Sequence, residues 1–142
     1  MKFFGEELNP KELSPLVLAY IGDSVYDLYV RSRLVSEGGA RVRDLHKRAT
    51  ERVNATAQCE TAHQIMPYLT EEEQAVYRRG RNTKSIHAPR KSEILEYRHA
   101  TGLEALVGYL YITGRKERLT EILNLCYQSA DQQNSAIKEE KI

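Results

Sequence analysis

Ser14-Pro15-Leu16-Val17-Leu18-Ala19-Tyr20-Ile21-Gly22-Asp23-Ser24-Val25-Tyr26-Asp27-Leu28-Tyr29 is the stretch whose reading decides the fold. A serine hydroxyl accepts a free amide of a first helical turn, and proline is tolerated there because the amide it lacks would have no partner. A long helix therefore starts at this pair. Its apolar residues, from Leu16 through Leu34, cover more than one face, which predicts a helix in the middle of a bundle, ended by Gly38-Gly39. Gly22 inside that helix costs about 1 kcal/mol relative to alanine. A second helix passing close by would offset this cost and would bring Asp23 near a partner.

The expected match lies at Thr101-Gly102-Leu103-Glu104-Ala105-Leu106-Val107-Gly108, where Glu104 and Gly108 share one helical face, again an acid and a glycine in apolar sequence. This helix should begin at Ser92, present Leu95, Ala100, Leu103, Leu106, Val107, Leu110 and Tyr111 as a wide apolar surface, and close at Gly114. Between the two core helices, a helical stretch spans about 43–66 with a break near Asn54. A further helix is capped by Thr70 and Glu73, with Glu71 and Glu72 at its positive end and Arg78 and Arg79 at its negative one. A last amphipathic helix carries Leu119, Ile122, Leu123 and Cys126, and the polar stretch 129–142 reads as a frayed tail after a single catalytic domain, 1–128. With no strand pattern and no internal repeat, the fold class is all-α.

Two carboxylates brought together among apolar helices repel each other and lose hydration unless a cation lies between them. Magnesium suits such a place, because it favours oxygen ligands and keeps several waters. The plain alternative is that Asp23 pairs with an arginine or caps a helix, and spacing alone leaves both readings open. Charge placement is the second signal. The 142 residues carry a formal charge of +1, so total charge argues for no partner. From Gln74 to Ser92, however, no acid occurs, while Arg78, Arg79, Arg81, Lys84, Arg90 and Lys91 are basic and Asn82, Ser85 and His87 can hydrogen-bond. Much of this stretch, 81–91, reads as a loop, which suits contacts to nucleic-acid phosphates; a solvated loop balancing acids elsewhere is the rival. His46 and Lys47 form a smaller basic cluster.

Other chemistries find less support. Cys59 and His63 share a helical face but lack further ligands for zinc, and no P-loop, nucleophile elbow or dinucleotide fingerprint occurs. His46, His87 and His99 are read as contacting solvent or phosphate. Two cysteines without a C-x-x-C pair suit a reducing cytoplasm, the amino terminus has no signal-peptide core, and no apolar run approaches the roughly 18 residues of a membrane span.

Ala19-Tyr20-Ile21-Gly22-Asp23-Ser24-Val25 resembles the signature helix of the ribonuclease III family, E-F-L-G-D-[AS]-V, and the stretch from Thr101 to Gly108 resembles its second acidic motif, D-x-x-E-A-[LF]-[IV]-G. Asp44-Leu45-His46-Lys47 and the run from Arg78 to Ser85 resemble stretches of the short bacterial branch, Mini-ribonuclease III, which has the catalytic domain alone. The resemblance covers about residues 13–125. It implies an all-helical homodimer that hydrolyses duplex RNA with Mg²⁺, or Mn²⁺ in its place, held by Asp23 and Glu104. It further implies maturation of the large-subunit (23S) ribosomal RNA precursor, with a ribosomal protein as possible stimulator. Two departures stand out: Ala19 and Thr101 occupy positions where the larger enzymes carry further acids, which leaves the metal count open. A non-catalytic RNA- or ribosome-binding module of the same fold is the main alternative, and a helical adaptor the third.

Overall fold

The computed structural model describes residues 7–83 and 91–140, without the side chains of 91–92 and 134–140. Six α-helices follow one another: α1 Pro15–Glu37, α2 Val42–Val53, α3 Ala55–Ile65, α4 Glu71–Arg81, α5 Lys91–Ile112 and α6 Lys116–Glu140. No strand occurs among the described residues.

Local chemistry places most of the boundaries. The Ser14 hydroxyl accepts from the Val17 amide at 3.2 Å, and Gly38, at φ 74°, ends α1. Asn54 both closes α2, donating to the Thr50 and Glu51 carbonyls, and opens α3, accepting from the Ala57 amide at 2.9 Å. Thr70 and Glu73 form the full reciprocal capping box of α4. At the end of α5, Gly114 has φ 72°, its amide reaches the Tyr111 carbonyl and that of Arg115 the Leu110 carbonyl, the paired bonds of a glycine-terminated helix.

The centre of the bundle is α5, which packs against α1, α3, α4 and α6. Leu103, Ala105, Leu106, Val107 and Leu110 are wholly enclosed. The middle position predicted for α1 thus belongs to α5. The outer face of α1 stays open, with Val17, Tyr20, Leu28 and Val35 exposed and Tyr20 at 80%. Leu95, expected on the apolar surface of α5, is exposed as well. The stretch read as a frayed tail continues α6: Ser129 and Ala130 are buried, Ser129 hydrogen-bonds Gln64, and Asp131 pairs with Arg52. Polar composition alone could not reveal those partners on α2 and α3.

Candidate active site at the crossing of α1 and α5

Glycine sets how closely α1 and α5 approach. A β-carbon built on Gly22 would stand 1.7 Å from the Glu104 carbonyl oxygen, and one on Gly108 would stand 2.0 Å from that of Leu18. Both are far inside van der Waals contact, so each helix meets the other's backbone directly. Because Gly22 meets Glu104 itself, Asp23, the next residue, is brought beside the Glu104 side chain.

The two carboxyl groups are close enough for Asp23 to act directly on Glu104. Asp23 is exposed, while Glu104 is partly enclosed between the helices. Burial, the hydrogen bond that Asp23 accepts and then the Asp23 charge push the Glu104 carboxyl up to about 9, so at neutral pH it keeps a proton and donates it toward Asp23. No arginine or lysine contributes to that balance. A hard divalent cation satisfies the same geometry by taking the proton's place, since it offers positive charge to oxygen donors that have no protein cation. The donor set therefore fits Mg²⁺. Asp23 and Glu104 are the two side chains that could hold it, and among the described residues no group of three or more histidine, cysteine or acidic side chains could hold a metal.

Ala19 and Thr101 add no ligand. Ala19 is buried in a small cluster with Leu18, Ala105 and Ile112, and the Thr101 hydroxyl donates to the Tyr97 carbonyl at 2.9 Å.

The basic residues fall in several places. Arg78 and Arg79 sit at the end of α4 as expected, and Arg81, expected in a loop, belongs to the same last turn, with Asn82 as its cap accepting from Arg81 Nε at 3.2 Å. Gly80 holds this turn near the carboxylates: its β-position would stand 2.8 Å from the Ala105 β-carbon and 3.2 Å from the Thr101 carbonyl oxygen. Gly102, facing Tyr77, makes a second close approach between α4 and α5. Lys84, Ser85, His87 and Arg90 lie outside the described residues, and Lys91 opens α5. His46 and Lys47 are exposed on α2, where His46 borders an apolar groove with Arg31, Leu34, Val42 and Ala49.

His99 departs from its expected solvent or phosphate contact. Its ring lies 4.5 Å from that of His63, and its Nδ1 hydrogen-bonds the Tyr77 hydroxyl, so it joins α3, α4 and α5 from within. Burial, then His63 and Arg81, lower its pKa. Burial pushes the Tyr77 phenol up to about 12, which keeps it a hydrogen-bond donor. His63 Nδ1 lies 2.8 Å from the Cys59 carbonyl, a bond within one helix.

With this geometry in view, the comparisons decide the family. The Ribonuclease III domain model matches residues 16–115, a span that holds both carboxylates and both crossing glycines. The chain belongs to the ribonuclease III family. Within that family it is 54% identical over 115 residues to a Mini-ribonuclease 3 of Symbiobacterium thermophilum, covering 81% of this chain and 88% of that protein. It is 50% identical over 126 residues to a Mini-ribonuclease 3 of a Thermoanaerobacter species, covering 86% and 89%. A crystal structure of a Fusobacterium nucleatum protein superimposes with a TM-score of 0.74 at 30% identity, over 83% of this chain and 94% of that one. The ribonuclease III family and the Mini-ribonuclease III branch inferred from the motifs are thus the ones found. No described helix is long and apolar enough to cross a membrane.

Proposed function

We propose that the chain is a Mg²⁺-dependent endonuclease for double-stranded RNA, acting in the cytoplasm on the large-subunit (23S) ribosomal RNA precursor. The observation that carries this reading is the Asp23–Glu104 pair, two carboxyl groups brought together at a glycine-lined crossing where, among the described residues, no cation acts on Glu104. A structural acid pair of this kind would ordinarily acquire an arginine, as Glu73 does from Arg118 at 2.8 Å in the same molecule. The Mini-ribonuclease 3 relatives and the family match support the same chemistry.

Bound by Asp23 and Glu104, the divalent ion supplies Lewis acidity and a water of lowered pKa for in-line attack on phosphorus. Everything else falls to the chain. Asp23 offers its carboxylate at the surface, where a backbone phosphate can approach. Glu104, partly enclosed between the helices, would hold the inner side of the site as a carboxylate. Arg78, Arg79 and Arg81 supply positive charge from the last turn of α4, the helix packed against α5, and Lys84, Arg90 and Lys91 follow them in the sequence. Their contacts to phosphates give affinity without reading sequence, which suits an A-form duplex whose bases are inaccessible in its deep groove. His46 and Lys47 provide a second basic patch.

The exposed stripe of Val17, Tyr20, Leu28 and Val35 on α1 is the natural face for a homodimer, because a row of aliphatic and aromatic side chains on one helix is costly to leave in water. A ribosomal protein remains a candidate stimulator on the family resemblance.

The test is incubation of a duplex RNA with the chain and Mg²⁺, against EDTA and Asp23→Asn controls. Cleavage by the native chain, with a loss of about a thousandfold or more in Asp23→Asn at unchanged helicity, is expected, several kcal/mol of transition-state stabilisation being removed. An Asp23→Asn protein that cuts normally would sink the metal-site assignment. Duplex binding without cleavage by the native chain would favour a non-catalytic RNA-binding module.

A further inference from the structure

Glu104 shares its face of α5 with two residues toward the amino terminus: Thr101, one turn away, and Tyr97, two turns away. At 3.6 residues per turn the spacing of seven brings Tyr97 back into line, and at 1.5 Å per residue it stands about 10 Å from Glu104 along the helix. The Thr101 hydroxyl is turned back onto the Tyr97 carbonyl, so Tyr97 is the next side chain on this face free to meet a ligand. Its ring is 41% exposed.

Other tyrosines show what the fold does with a phenol that it uses for packing. The hydroxyls of Tyr29, Tyr77, Tyr109 and Tyr127 hydrogen-bond Asn124, His99, Glu72 and Glu37 respectively. Among the described residues nothing hydrogen-bonds the Tyr97 hydroxyl.

We propose that Tyr97 is a substrate-positioning residue, its hydroxyl hydrogen-bonding a ribose 2′-hydroxyl of a nucleotide near the scissile phosphate. A neutral phenol both donates and accepts, which matches a 2′-hydroxyl, whereas a phosphate is better met by the cations nearby. The wide, shallow groove of an A-form duplex displays these hydroxyls at its surface, and they are what distinguishes RNA from DNA there. The inference rests on the reading of the chain as a duplex-RNA nuclease and deepens it by naming a source of its preference for ribose.

The experiment compares native chain and Tyr97→Phe on duplexes carrying a single 2′-deoxynucleotide scanned along each strand. Tyr97→Phe is expected to lower kcat/KM about three- to tenfold, the loss of one hydrogen bond, with an unchanged melting temperature. One deoxy position near the cut should slow the native chain by the same factor and leave Tyr97→Phe unaffected, the signature of a shared contact. Equal sensitivity of the two proteins at every position, native-like cleavage of the all-ribose duplex by Tyr97→Phe, or a loss that follows melting temperature would overturn the proposal. Binding of the same duplexes in EDTA to Asp23→Asn and Asp23→Asn/Tyr97→Phe, read by gel shift, keeps the question separate from cleavage. If the native chain does not cut but the deoxy discrimination in binding disappears with the phenol hydroxyl, the nuclease reading fails and the contact stands; equal discrimination removes the contact.

Discussion

Two glutamates enclosed by the same bundle have opposite fates. Glu73, 2% exposed at the start of α4, receives two contacts from Arg118 at 2.8 Å and the Thr70 amide at 2.9 Å. Arg118 holds its carboxyl below the usual range, against the upward pull of burial. Glu104 meets another acid instead, and its carboxyl rises to about 9. The difference lies in the partners: at α4 the fold supplies a cation and gains a structural tie to α6, while at the α1–α5 crossing it supplies none. On the proposed reading, the cation at this crossing comes from outside.

The strongest way to break this contrast is to force the crossing apart. Gly22→Ala would put a methyl group where the Glu104 carbonyl stands. It is expected to cost at least about 3 kcal/mol of stability and to separate the two acids, measurable by urea unfolding and by loss of cleavage. A protein as stable and active as the native chain would show that glycine is not what holds the pair together.

Arg118→Ala tests the other side. It leaves Glu73 enclosed without its cation and should lower stability by about 3–5 kcal/mol at pH 7. The lowered pKa of Glu73 means that the folded chain binds fewer protons there than the unfolded one. Its contribution is therefore present above the ordinary glutamate value of 4.5 and is lost as pH falls through the lowered value. The gap between native and variant melting temperatures should narrow in acid; a gap constant from pH 7 to pH 3 would reassign the tie to packing.

The remaining effect has the opposite sign. The folded chain keeps a proton on Glu104 that the unfolded chain releases above the ordinary 4.5, so metal-free stability falls as pH rises toward about 9. Glu104→Gln removes that dependence. Its melting temperature should match the native one near pH 4 and exceed it at pH 8, by about 3 °C for each kcal/mol in a chain of this size. Added Mg²⁺ should raise the native melting temperature and leave the variant unmoved, and identical pH profiles would refute the shared proton.

How much of this was legible beforehand depends on the distance over which each signal acts. Ser14-Pro15, Asn54, the Thr70–Glu73 box and Gly114 each announced a helix end, because capping is settled within a few residues. Gly22 and Gly108 announced a close crossing, and with it the meeting of Asp23 and Glu104. Gly80 and Gly102 made a second crossing that was open to the same argument. Hidden from a linear reading were the exposed face of α1, the continuation of α6 past Ser129, and the enclosure of His99 between His63 and Tyr77.

The sequence by itself thus determined an all-helical chain, the approximate ends of most of its helices, its pair of acids and its family. Only the tertiary structure decided which helix is central, which apolar face remains open and which of two enclosed glutamates carries charge. The physical reason is that a helix cap or a glycine contact acts over one turn or one crossing. Burial and ionisation sum over groups that Glu73 and Arg118, or Asp23 and Glu104, bring together from distant parts of the chain.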